Sequence, residues 1–158
     1  FELNKENKTT WKHLKNLIME TLKLHHIAPY LPYELKCQTV DKGEIVISEL
    51  NAAYSDNSYA FMNIVESEKG FEDIKPLLKP MSALNVSYIA ELSRYVSTLD
   101  EKYTIEIAMK MIEERKSKPL NMPYVLVQIL LQWHFDVFGL IDKGLAKNIL
   151  ELETETLS

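Results

Sequence analysis

Residues 122–139 read MPYVLVQILLQWHFDVFG and form the most distinctive segment of the chain. One stripe at helical spacing consists of Met122, Val125, Leu126, Ile129, Leu130, Trp133 and Val137, and the opposite side carries Tyr124, Val127, Leu131 and Phe135. A helix that is apolar on nearly all sides is normally buried. The pattern therefore predicts a buried central helix that extends to Val137, with Gly139 as the residue of positive φ just after its end.

The end of this predicted helix carries a candidate motif, WHFDVFG at residues 133–139. Asp136 would lie beside Trp133 near the apolar stripe, and a buried carboxylate must be hydrogen-bonded or paired with a cation. His134 or a backbone N–H could be the partner. Two interpretations stay open: a polar lock that ends the helix and sets the next turn, which we favour, or an acid/base pair in a pocket. The residues given this structural role are Trp133, His134, Asp136, Phe138 and Gly139, and no residue is assigned a catalytic role.

The chain before this segment divides into a helix and a small sheet. Apolar residues from Trp11 to Ile27 recur at helical spacing, and Pro29 and Pro32 then end the helix. The strand signals that follow are the alternation of Leu35, Cys37 and Thr39, the turn at residues 41–43, the β-branched run at residues 45–47, and a third strand at residues 59–64. They predict a small three-stranded antiparallel meander.

The rest of the chain is predicted to be helical. Pro76 and Pro80 limit residues 70–84 to short turns of helix. Asn85 can cap one helix, and Asp100 or Thr104 can cap a second that ends near residues 117–119. A last short helix is expected at residues 140–150, followed by an acidic tail at residues 151–158 that frays. The expected fold class is α+β, with residues 1–150 as a single globular domain.

Composition narrows the class of protein. The chain has 158 residues and a formal net charge of −5, which disfavours non-specific binding to nucleic acid. No apolar run approaches the ~20 residues needed to cross a bilayer, so no membrane partner is expected. Cys37 is the sole cysteine in the sequence and cannot form an internal disulfide, which favours the cytoplasm.

Motifs for catalysis are weak. Neither a zinc signature nor a glycine-rich phosphate loop occurs, so no cofactor and no metal are expected. Cys37 fits a half-buried strand position better than a catalytic thiol. Five acid-x-lysine triplets occur, and only the one from Glu34 to Lys36 is expected at a strand start, as in some metal-dependent nucleases. The chain is therefore more consistent with a non-enzyme than with an enzyme.

Three stretches carry a family resemblance: LPYELK at residues 31–36, LLKPMSAL at residues 77–84, and WHFDVFGLIDKGLA at residues 133–146. Together they resemble a group of small uncharacterised proteins from phages and prophages of Bacteroidetes. The resemblance implies a phage origin and a setting in the cytoplasm of a bacterial host cell. It implies no activity, cofactor or catalytic residue.

The leading hypothesis is a non-enzymatic phage or mobile-element accessory protein that binds a host or phage protein, with inhibition of a host defence system as one form of that binding. A virion or assembly component is the first alternative. A small metal-dependent nuclease that uses Glu34 and Lys36 is the second.

Overall fold

The computed structural model describes residues 20–56, 58–61, 64–67 and 70–156. The predicted N-terminal helix, Trp11 to Ile27, lies partly outside these residues. Within them the prediction is wrong for residues 20–23, which are not helical, and helix α1 spans only Leu24–Ile27. A 3-10 turn at Ala28–Tyr33 follows and contains both prolines of this region. The prediction that Pro29 and Pro32 end the α-helix is therefore confirmed.

The described residues form one six-stranded sheet in the order β4-β3-β2-β1-β5-β6. Its strands are β1 Lys36–Asp41, β2 Glu44–Ala53, β3 Tyr59–Phe61, β4 Ile64–Ser67, β5 Ile74–Leu78 and β6 Lys147–Asn148. Strands β1 to β5 pair antiparallel, and β6 pairs parallel with β5. The α+β class is confirmed, but the three-stranded meander is wrong. The predicted third strand divides into β3 and β4, β5 joins the sheet beside β1, and β6 joins beside β5.

The hairpin of β1 and β2 follows its sequence signals. Cys37 and Thr39 are buried, as their alternation predicts. Asp41 pairs with Glu44 across a two-residue loop. The loop residues Lys42 and Gly43 have φ values of 49° and 85°, which is the left-handed geometry of a type I′ turn.

The short helical turns predicted for residues 70–84 form at Phe71–Asp73 and Met81–Ala83, but strand β5 lies between them and was not predicted. Proline is rare inside a sheet because it cannot donate a ladder hydrogen bond. Pro76 lies opposite Cys37 on β1. Leu50 N donates to Leu35 O, and hydrogen-bonded pairs alternate along an antiparallel ladder, so Cys37 is the next residue of β1 that bonds to β2. The backbone N–H and C=O of Cys37 therefore point toward β2 and away from Pro76. Pro76 therefore needs no N–H toward β1, which is why the strand tolerates it.

Four helices follow β5 in the described chain: α2 Val86–Leu99, α3 Ile105–Arg115, α4 Tyr124–Gln132 and α5 Ile149–Thr156. Asn85 Oδ1 accepts from Tyr88 N at 3.1 Å, so the predicted Asn85 cap is confirmed. Thr104 Oγ1 accepts from Ile107 N at 3.3 Å, so Thr104 and not Asp100 caps the second helix. The predicted helix at residues 140–150 is wrong. The chain turns there instead, forms β6, and becomes helical only at Ile149.

Helix α4 packs against the 3-10 turn at Ala28–Tyr33 and against α2, and it contributes much of the core. Its buried residues are Leu126, Ile129, Leu130 and Leu131, and they belong to the same cluster as Tyr30, Leu35, Leu78 and Phe135. However, Tyr124 is 78% exposed, so the helix is not buried on all sides as predicted. None of the helices in residues 20–156 that the structure describes has the length and apolar character of a membrane span.

Candidate functional site

Three segments that are far apart in the sequence line an open cavity of about 600 Å³. They are residues 80–82 after β5, residues 116–121 between α3 and α4, and residues 136–142 after α4. Ligand pockets in proteins are typically about 300 to 1,000 Å³ in volume. The cavity is therefore large enough to receive a small molecule or a side chain of a partner protein.

The wall formed by residues 136–142 begins where α4 ends. Helix α4 stops at Gln132 rather than continuing to Val137 as predicted, because His134 takes a left-handed conformation with φ of 59°. His134 N donates to Leu131 O at 3.0 Å, and Phe135 N donates to Leu130 O at 2.9 Å. This is the Schellman pattern, with histidine at the position where glycine is usual.

The side chain of His134 helps to hold this unusual backbone. Its Nε2 lies 2.6 Å from Tyr33 O, and because a carbonyl oxygen only accepts, Nε2 carries the proton and donates. Burial lowers the pKa of His134, although the hydrogen bond to Tyr33 opposes this shift. The hydrogen bond described for this ring is thus to Tyr33 and not to Asp136, so the geometry does not form the acid/base pair considered as the alternative.

After His134 the chain joins the sheet for one residue. Phe135 bridges Lys79 in parallel, with Lys79 N donating to His134 O and Asp136 N donating to Lys79 O, each at 2.8 Å. Tyr30 Oη donates to Phe135 O at 2.7 Å. Burial raises the pKa of Tyr30, and the Asp136 carboxylate raises it further, so the hydroxyl stays protonated as a donor.

Asp136 is only 5% exposed. Its Oδ1 accepts from Leu140 N at 2.7 Å, and its Oδ2 accepts from Ile141 N at 2.8 Å. Both oxygens of the carboxylate therefore bind backbone N–H groups of the turn that follows. The sequence predicted that Asp136 lies in a helix, but the helix ends at Gln132, before this residue. The two hydrogen bonds can nevertheless satisfy a buried carboxylate. The structural role assigned to Asp136 stays a prediction.

The other motif residues surround this turn. Trp133 is half-buried at the end of α4, with its ring 5.9 Å from the ring of Tyr88. Phe138 is half-buried, lines the cavity, and lies 6.1 Å from the ring of Tyr30. Gly139 has φ of 67°, but it lies within the turn closed by Asp136 and does not end α4 as predicted.

The lining of the cavity combines apolar and polar side chains. The apolar contributors include Pro80, Met81, Pro119, Leu120, Val137 and Phe138, and the polar ones include Ser82, Lys116, Lys118, Asn121 and Asp142. Lys116 Nζ is 2.7 Å from Glu113 Oε2, in an exposed ion pair that contributes little to stability. This mixture of apolar and polar side chains is typical of a surface that binds other molecules.

Residues considered for catalysis lie elsewhere and are not assembled. Cys37 is fully buried, and burial raises the pKa of its thiol, so it is a poor nucleophile. Glu34 and Lys36 are both exposed at the start of β1. The expectation that their triplet alone lies at a strand start is wrong, because Asp73 and Lys75 flank the start of β5; Lys75 Nζ donates to Gly144 O at 2.9 Å.

The residues that the structure describes contain no group of three or more His, Cys, Asp or Glu side chains that could hold a metal ion. Sequence reasoning missed the wall at residues 116–121, which it treated only as the end of a helix. The signal available was Pro119, which starts a 3-10 turn at Pro119–Asn121 and leaves Leu120 56% exposed.

Fold and cavity together define an α+β protein with a concave surface of mixed lining. Comparison with protein-family models, with curated proteins and with solved structures found no significant match.

Proposed function

We propose that this chain is a non-enzymatic accessory protein of a phage or mobile genetic element that binds a host or phage protein in the bacterial cytoplasm. The cavity bounded by residues 80–82, 116–121 and 136–142 is the proposed binding surface. The observation that supports the proposal is that residues 80–82 and 136–142 form two of the three walls, and both lie in stretches on which the proposed resemblance to phage proteins rests. In one form of the proposal, the bound protein belongs to a host defence system and the binding inhibits it.

The chemistry of the cavity supports binding rather than catalysis. Asp136 is the buried carboxylate of the wall, and both of its oxygens are already bound to backbone N–H groups. Exposed apolar side chains lie at the rim and just beyond it: Leu120 is 56% exposed and Tyr124, at the start of α4, is 78% exposed. Apolar and aromatic side chains of this kind commonly anchor protein interfaces.

A capture experiment with matched variants tests the proposal. The tagged protein is expressed in bacteria with and without phage infection, and bound proteins are identified by mass spectrometry. Leu120→Asp places a charge at the cavity rim, whereas Leu99→Asp places one at an equally exposed site at the end of α2, which does not line the cavity. Thermal melting of each variant checks that it folds.

We expect the wild type and Leu99→Asp to retain the same partner, and Leu120→Asp to lose it. A partner that appears only in infected cells would be a phage protein, and one present in uninfected cells would be a host protein. Equal capture by folded Leu120→Asp and wild type would rule out the cavity as the binding surface.

A further inference from the structure

The outer edge of β2 near the hairpin tip is a second surface suited to binding. Strand β3 pairs with β2 only from Leu50 to Ala53. Among the strands in the described part of the chain, none runs beside residues 44–49 on the side away from β1. This edge is separate from the cavity, so the inference does not rest on the proposed function.

The register of the hairpin shows which backbone groups this edge presents. Leu50 N donates to Leu35 O at 2.7 Å, so that pair is hydrogen-bonded, and such pairs alternate along an antiparallel ladder. Ile45 and Ile47 therefore occupy the non-hydrogen-bonded positions opposite Val40 and Gln38. Their N–H and C=O groups point away from β1, toward the edge.

The side chains at this edge are apolar and exposed. Ile45 is 67% exposed and Ile47 is 49% exposed. Natural sheet edges are usually protected by lysine, proline or a β-bulge, because an unprotected edge pairs with other strands. Residues 44–49 read EIVISE and contain no lysine or proline, and the irregularity in β2 falls beyond them, between Leu50 and Ala52.

Charge indicates what kind of strand fits. Asp41 and Glu44 lie directly opposite each other at the hairpin tip, and both are exposed. Like charges at directly opposed positions are unfavourable, and a cation on an adjoining strand would relieve the repulsion. A second copy of this chain, which has a net charge of −5, would bring the same acidic residues to the contact. The charges therefore favour a basic segment of another protein.

We propose that residues 44–49 of β2 accept an extended segment of another protein by strand addition. The added segment carries apolar residues opposite Ile45 and Ile47 and a lysine or arginine opposite Glu44. Main-chain hydrogen bonds to the outward groups of Ile45 and Ile47 supply the pairing, as in other strand-addition complexes.

Fluorescence anisotropy of a labelled peptide tests the proposal with the full chain. The probe is about six residues long, the usual length of a strand, with alternating valine and threonine and a lysine at each end. One control peptide has glutamate in place of lysine, and another carries N-methyl groups on the amides of one edge. We expect binding of the lysine peptide, at least about tenfold weaker binding of the glutamate peptide, and no binding of the methylated peptide.

Two substitutions at one position separate backbone pairing from side-chain contact. Ile47→Pro removes an outward N–H that β1 does not use, and Ile47→Thr keeps it; melting curves establish that both fold. We expect Ile47→Pro to lose the peptide and Ile47→Thr to bind it more weakly than wild type.

Three results would overturn the proposal. They are failure of the wild type to bind the lysine peptide, equal binding of the methylated peptide, and a sedimentation result in which the wild type dimerises through this edge while Ile47→Pro stays monomeric. The last would assign the edge to a second copy of the chain.

Discussion

Asp136 carries the most specific energetic prediction at the scale of single residues. Asp136→Asn keeps the shape but leaves one amide oxygen to accept, so an N–H of Leu140 or Ile141 loses its acceptor. Losing a hydrogen bond to a charged group costs about 2 kcal/mol, which we expect to see in the free energy of unfolding measured with urea. The exposed Asp142→Asn removes a charge from the same turn and serves as the control. Unchanged unfolding together with lost partner binding would identify Asp136 as a binding carboxylate instead.

His134 predicts a dependence of stability on pH. Burial lowers its pKa below the ordinary 6.5, so folding favours the neutral ring. The contribution of neutral His134 to the free energy of unfolding is fully present above about pH 6.5, and it is lost as the pH falls through the lowered pKa. His26, whose pKa burial also lowers, acts in the same direction.

His134→Asn tests this dependence because asparagine tolerates the left-handed backbone but does not titrate. Urea unfolding across a pH series should show a smaller loss of stability below about pH 6.5 than in wild type, with the remainder due to His26. If His134→Asn lost as much stability below about pH 6.5 as wild type does, the His134 ring would not contribute to the pH dependence.

Phe135 and Trp133 differ in burial, and their alanine variants should differ in stability. Phe135 has no exposed surface, so Phe135→Ala should cost about 3 to 5 kcal/mol through lost burial and a cavity. Trp133 is only half-buried, so Trp133→Ala should cost about half as much, less than its predicted place in the core implied. Chemical denaturation of both variants measures the order, and a larger loss for Trp133→Ala would contradict the assigned burial.

At the scale of elements, the type I′ turn of the first hairpin makes a local prediction. A side chain added at Gly43 meets no atom within 4 Å, so the cost of Gly43→Ala comes only from its φ of 85°. We expect a loss of about 1 kcal/mol, seen as a lower melting temperature. Lys42→Asn, which suits the preceding left-handed position, should raise the melting temperature instead. Equal melting of Gly43→Ala and wild type would show that the turn has another geometry.

The elements predicted correctly are those with local causes. Asn85 and Thr104 cap their helices through atoms three residues away, and the first hairpin follows from alternation and a glycine. Strand β5 and the end of α4 depend on distant partners. Pro76 is tolerated because of its register with Cys37, and His134 is held by Tyr33. Neither contact leaves a periodic signal in the sequence.

At the scale of the whole molecule, the cavity exists only because three distant segments meet. The sequence drew attention to residues 77–84 and 133–146, and it singled out Asp136 as a carboxylate that would need a partner if buried. It could not give the third wall at residues 116–121, because that segment is adjacent to the others only in the folded chain.

The proposal that this cavity binds a protein is tested most directly by site-specific photo-cross-linking in bacterial cells. A photoreactive amino acid replaces Leu120 at the cavity rim in one variant and the equally exposed Leu99 in another. The account predicts a covalent adduct with a second protein from position 120 and none from position 99. Adducts from position 99 alone, or from neither position, would contradict it.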